Sequence, residues 1–340
     1  MTTETLANAN SQSGRQNNFD VLRLIAATFV LVSHSAPLSW NKEGGFPGTN
    51  DTLGFVGVLI FFSISGYLIT QSWRRGPQPV AFALKRIRRI IPGLFVSLVG
   101  TAYVIGPWLT TLPVASYLRS VEPLKFVVLN LAQLTTYKLP GVFSNNHSLV
   151  ANGSLGTLPV EVKAYAIVLV LGMFASARSN GWRFIWAIAL VPVIAFSYGT
   201  GVKPAHTLTQ LFALFAGASL LQLLSKRIPL HWWLFVLALA IWIVSYRLPF
   251  AFHIAIQAIV FPYVVLFLAF RWLSPLRVLV KPGDVSYGIF IWAFPIQQTI
   301  VALYPHIGYW ELVISAFAIT YVIALASWHL IEKPFLRFRR

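Results

Sequence analysis

The sequence predicts an all-α, polytopic integral membrane protein of about ten transmembrane helices, with the N- and C-termini in the cytoplasm. Three observations carry that expectation. Only 10% of the 340 residues are charged and 57% are hydrophobic, whereas a soluble chain carries about 25% charged residues. Apolar stretches near the ~20 residues needed to cross a bilayer recur from end to end. The basic residues collect in alternate loops, as positive-inside segments do.

Apolar spans are expected at 19–38, 53–72, 88–108, 157–177, 183–199, 206–224, 231–246, 251–271, 285–304 and 310–331. With the N-terminus inside, eighteen Lys and Arg fall on inner segments and six on outer ones. The inner set includes Arg74, Arg75, Lys85, Arg86, Arg88 and Arg89 after the second span, and Lys226 and Arg227 after the sixth, at 206–224. The outer set is Lys42, Arg119, Lys125, Lys138, Lys203 and Arg247. The asymmetry repeats loop by loop and supports both the orientation and an even number of spans.

The domain plan follows: a cytoplasmic tail over 1–18, a transmembrane domain over 19–332 with a long outer loop at about 109–156, and a basic cytoplasmic tail over 333–340. The stretch Lys125–Tyr137 is too short to span and reads as interfacial or re-entrant. Residues Met1–Asn18 hold no apolar run, so no cleavable signal peptide is expected and the first helix acts as its own anchor. No cysteine is present, which removes disulfides and thiolate chemistry. The net charge of +17 is accounted for by the inner loops, and no motif points to nucleic acid.

Ionisable groups inside a membrane are costly and mark function by default. In FDVLRLIAATFVLVSH, Arg23 and His34 lie 11 positions apart. That is about 20° past three turns and about 16 Å along the axis, so they share a face. Asp20 falls near the same stripe. Arg23 also suits a snorkelling anchor paired with Asp20, and His34 a packing histidine near the outer interface. Glu161, in NGSLGTLPVEVKAYAIVL, is the carboxylate set furthest into an apolar span. Pro159 suits a first helical position, which puts Glu161 in a first turn where the helix dipole favours an acid. Lys163 is two residues on and points elsewhere.

FALKRIRRIIPG places Arg86 and Arg89 on one helical face as an R-x-x-R pair, with Lys85 and Arg88 beside them. It fits either a lipid-binding cluster or an anchor for a phosphate-rich cytosolic ligand. The histidines show no metal-binding spacing, so no metal site is expected. Ser65 in FFSISGYLIT belongs to a small-residue packing patch before it is a nucleophile. His329 and Glu332 read as a helix-end cluster closed by Pro334.

Taken in order, these segments resemble the acyltransferase 3 family of membrane O-acyltransferases, from about Asn18 to Phe335. Arg23 and His34 fall on its R-x10-H motif, and Arg86 and Arg89 on its R-x-x-R motif. GFVGVLIFFSISGYLIT resembles the second helix, and NGSLGTLPVEVKAY the family's Asn-Gly-Ser-Leu-Trp-Thr-Leu-x-x-Glu segment. GDVSYGIFIWAFPIQQ and IEKPF resemble the last two helices. One position departs: the family usually has Trp where this chain has Gly156, which removes a large ring close in sequence to Glu161.

The resemblance implies transfer of an acyl group, most often acetyl from acetyl-CoA, to a sugar hydroxyl of an envelope or exported glycan at a bacterial-type inner membrane. The expected partners are acyl-CoA, a glycan or lipid-linked glycan acceptor and the bilayer. On that reading Arg86 and Arg89 hold the donor phosphates. His34 acts as general base or transient acyl carrier, Glu161 orients or charge-balances it, and Arg23 steadies the donor. The competing expectation is a transporter or flippase for a lipid-linked or anionic substrate.

Overall fold

The computed structural model describes residues 4–13, 18–39, 42–175, 203–271 and 274–337, and among these the only β pairing is three isolated bridges. Helices carry the rest: α1 (Leu6–Ser13), α2 (Phe19–Leu38), α3 (Leu53–Arg75), α4 (Pro79–Gly100), α5 (Val114–Arg119), α6 (Glu122–Leu131), α7 (Leu158–Ala175), α8 (Lys203–Leu223), α9 (Trp232–Ser245), α10 (Phe250–Arg271), α11 (Ser286–Leu303) and α12 (Tyr309–Ser327). A π turn at Thr101–Ile105 extends α4 to Leu109, and another at Trp328–Glu332 extends α12 to Arg337.

Seven of the described helices are long and apolar enough to cross a membrane. They coincide with seven of the ten expected spans. Two more, 206–224 and 231–246, appear as the shorter apolar helices Thr207–Leu223 and Trp232–Ser245. The remaining one, 183–199, lies outside the described residues.

Local signals set several helix ends. Thr52 Oγ1 accepts from Phe55 N at 3.2 Å and caps α3, while Arg74 and Arg75 sit in its last turn, where the dipole favours cations. Pro79 opens α4, where a missing N–H costs nothing.

The tail before α2 is helical in part rather than a plain polar leader. Leu6 N and Ala7 N donate to Ile228 O and Ser225 O, both at 3.0 Å, docking α1 at the end of α8. The outer loop is also built. Tyr117 Oη donates to Ala102 O at 2.7 Å, fixing α5 against α4. Asn130 closes the end of α6 by donating to Phe126 O and Thr136 O. Of the stretch 125–137, only the part up to Leu131 is helical.

Helix α3 is central, packed between α2 and α8. Small residues permit this closeness. A Cβ on Gly66 would stand 2.3 Å from Phe215 O of α8, and one on Gly217 would stand 1.6 Å from Ala258 O of α10. On the other side α2 packs against α11, and α11 against α12. Helix α4 packs on α11, α7 packs on α3, and α4 and α7 meet; the main cavity lies among them.

Candidate functional site

The cavity has a volume of about 530 Å³ and takes its walls from α2, α3, α4, α7 and α11. Arg23, Arg86, Arg89 and Glu161, four of the five residues singled out in the sequence, line it. Lys85 and Arg88 line it too, as expected for a charged stripe on one side of α4.

Glu161 stands in the first turn of α7. Its Oε1 accepts from Ser65 Oγ of α3 at 3.0 Å and, in a short contact, from Tyr165 Oη one turn along. A carboxylate taking two hydroxyl donors is fixed in place. Ser65 therefore turns to the cavity while its neighbour Gly66 makes the helix contact. Lys163 is exposed.

The two arginines of the R-x-x-R pair differ. Arg89 Nη2 lies 2.5 Å from Asp284 Oδ2, and its Nη1 lies 3.7 Å from Glu332 Oε2. Its guanidinium also stands 5.8 Å from the ring centroids of both Tyr287 and Trp328. Glu332 is thus the buried partner of an arginine on another helix, not simply a helix-end group; Ser327 Oγ also donates to it at 3.0 Å. Burial alone would raise the Asp284 carboxyl pKa, but the adjacent Arg89 outweighs it and holds it below the usual carboxylate value.

Among the described residues Arg86 makes no direct ion pair, and Glu161 acts on it only through space. Its guanidinium stands 5.7 Å from the Phe82 ring centroid and 6.0 Å from that of Tyr165. Its Nε is buried without a hydrogen-bonding partner among the described residues. Arg23, by contrast, donates to Asp20 Oδ1 at 3.1 Å.

His34 does not line the cavity. Its ring meets Phe294 of α11 edge-on, with centroids 5.1 Å apart, and its Nδ1 is buried without a partner among the described residues. Phe290, four residues earlier on α11, does line the cavity and packs edge-on against Phe61 at 5.5 Å. One helical turn, about 6 Å, thus separates the cavity wall from the His34 contact. Gln297, fully buried, brackets the histidine: its Nε2 donates to Leu31 O at 2.7 Å and to Ser35 Oγ at 2.6 Å.

The space beside Gly156 is filled from the outer loop. A Cβ there would stand 2.7 Å from Tyr137 Oη. The next segment is fixed by Asn152, whose Nδ2 donates to Ile291 O at 2.9 Å and whose Oδ1 accepts from Ser154 N at 3.0 Å.

Sequence reasoning missed Tyr165, Asp284 and Gln297. Tyr165 carried a signal, being four residues after Glu161 and so on its face. Asp284 carried only the rarity of acids, nine in the chain. Among the described residues no three His, Asp or Glu side chains gather as a metal site.

The acyltransferase domain family matches residues 16–331. The chain belongs to this family. Among similar proteins, an O-acetyl transferase of Shigella phage Sf6 is 35% identical over 173 residues, covering 50% of this chain and 49% of that protein. Nodulation protein 10 of Rhizobium leguminosarum bv. viciae is 44% identical over 92 residues, 25% of this chain and 24% of its own. Peptidoglycan O-acetyltransferase OatA of Listeria monocytogenes is 36% identical over 88 residues, 24% of this chain and 12% of its own. The chain thus spans about half or less of the length of the curated relatives it matches. No solved structure matches it.

Proposed function

We propose that this acyltransferase 3 protein is a membrane O-acyltransferase. It moves an acyl group, acetyl in the first instance, from acyl-CoA to a hydroxyl of a cell-surface or exported polysaccharide. The observation that carries the reading is the cavity shared by Arg23, Arg86, Arg89 and Glu161, in a chain of this family. Acyl transfer in the matched relatives' names supports it. The transporter alternative has no observation of its own.

Within the proposal the roles divide by pairing state. Arg86, half-buried and in no direct ion pair among the described residues, meets the donor's phosphate oxygens, which a guanidinium binds by charge-assisted hydrogen bonds. Arg89, held by Asp284 and Glu332, positions that wall. Glu161, fixed by Ser65 and Tyr165, supplies a set negative charge beside Arg86. Arg23, already on Asp20, steadies the donor from α2.

The acyl end reaches His34 past the Phe61–Phe290 pair. There the acceptor hydroxyl gives its proton to the imidazole as its oxygen attacks the thioester carbonyl. The C–S bond breaks, an ester C–O bond forms, and the proton passes to the departing thiolate, leaving free CoA. Imidazole suits the task because its ordinary pKa is near neutral.

In cellular terms the proposal sets the protein in a bacterial-type inner membrane with cytoplasmic termini and residues 19–332 as the transferring unit. The test is CoA thiol release by the purified protein in vesicles given acetyl-CoA and envelope polysaccharide. Release that requires the polysaccharide supports transfer. Substrate uptake without thiol release would contradict it.

A further inference from the structure

A second cavity, also about 530 Å³, lies on a different face of α3. The register of that helix separates the two. Phe61, Ser65, Leu68 and Ile69 line the first, and Tyr67, Gln71, Arg74 and Arg75 line the second. Each set steps by four, three and one residues, the repeat of a single helical face. No residue is common to both linings.

The second cavity gathers four cations, Arg74, Arg75, Lys226 and Arg227, and no acidic side chain lines it. Arg74 Nη1 donates to the neutral Gln222 Oε1 at 3.2 Å. All four cationic side chains are exposed, so solvent screens their mutual repulsion and leaves them open to an incoming anion.

Tyr67 forms part of the wall and is fully buried. Its ring is held between Phe19 and Phe270, at centroid distances of 6.2 and 6.0 Å. Its hydroxyl has no hydrogen-bonding partner among the described residues, although a buried hydroxyl is normally paired. Helix α1 contributes Ala7 and Asn10 to the same cavity, and its docking at Ser225 and Ile228 fixes that wall.

We propose that this cavity binds a phosphate group, at a site separate from the donor cavity. Four cations and an O–H donor match a tetrahedral oxyanion, and basic pockets between membrane helices take phosphate head groups. The phosphate belongs either to an anionic phospholipid at the helix ends or to a soluble phosphate. Binding ties the end of α3 to the end of α8 beneath α1. The inference does not depend on the acyl-transfer reading.

The test uses the full chain in nanodiscs of phosphatidylcholine alone, followed by thermal unfolding. One arm adds inorganic pyrophosphate; the other includes phosphatidylglycerol in the disc. The melting temperature is expected to rise in at least one arm. A rise with lipid alone assigns a head group, and a rise with pyrophosphate assigns a soluble ligand. In the R75Q/K226Q variant the half-saturating concentration should increase about tenfold or more, from the loss of two charged hydrogen bonds. Y67F, which removes only the hydroxyl, should weaken binding less but measurably, and R86Q should keep it. No rise in either arm overturns the proposal. So does a rise unchanged in both R75Q/K226Q and Y67F, or one abolished by R86Q alone.

Discussion

Arg89 Nη2 stands 2.5 Å from Asp284 Oδ2 and joins α4 to the segment leading into α11. The two residues are 195 apart in sequence. Glu332, with 1% of its side chain exposed, flanks the same guanidinium at 3.7 Å. Removing Asp284 leaves the Arg89 guanidinium with only the longer Glu332 contact. Asp284→Asn is therefore expected to lower stability by about 1.5–3 kcal/mol, the loss of a charged hydrogen bond, read as a drop in melting temperature in detergent.

The pH dependence of that contribution has a definite sign. The folded Asp284 carboxyl titrates below its ordinary value because Arg89 outweighs the effect of burial. Its stabilisation is present in full above the unfolded pKa of about 4. It is lost as pH falls through the lower folded value. Melting curves of the parent and Asp284→Asn should differ most at neutral pH and converge in acid below about pH 4.

Arg86 should behave in the opposite way. Because Arg86 makes no direct ion pair and Glu161 keeps its two hydroxyl donors, Arg86→Gln should lower the melting temperature less than Arg89→Gln does. Under the proposed function it should raise KM for acyl-CoA about tenfold or more, the loss of one charge-assisted contact. Steady-state kinetics beside melting curves for Arg86→Gln and Arg89→Gln would check this contrast. Equal stability losses in the two variants would contradict it.

Much of this was legible in the sequence, and the limits have physical causes. Apolar length and loop charge located seven of the long helices because the bilayer imposes both. The i, i+3 spacing put Arg86 and Arg89 in one cavity. The same spacing could not tell them apart, since what separates them is Asp284, near only in three dimensions. For α2, shared-face geometry put Arg23 and His34 on one stripe, and the fold then set Arg23 in the cavity and His34 one α11 turn beyond it. Glu161 lines the cavity with the arginines, and His34 lies outside that lining.

The Glu161 clamp gives a third expectation. Ser65→Ala and Tyr165→Phe each remove one hydroxyl donor to the same carboxylate oxygen. Each is expected to cost about 1.5–3 kcal/mol of stability or transition-state binding. Because the donors share one acceptor, each compensates in part for loss of the other, and the double variant should exceed the sum. A double-mutant cycle on thiol-release rate and on melting temperature measures the coupling.

Gly156 and Tyr137 form a reciprocal pair, since a Cβ at position 156 would stand 2.7 Å from Tyr137 Oη. Gly156→Trp alone should be destabilised by about 1–3 kcal/mol through overpacking. Adding Tyr137→Ala should recover most of that loss. Thermal melting of the two variants and their combination tests the exchange.

Under the proposed function, His34 takes the acceptor proton during transfer to a polysaccharide hydroxyl. The most direct measurement is mass spectrometry of envelope polysaccharide from cells expressing the parent chain or His34→Ala, at matched amounts of inserted protein. The expected result is an acetyl-sized mass increase with the parent and none with His34→Ala. The same increase in both strains would contradict the assignment.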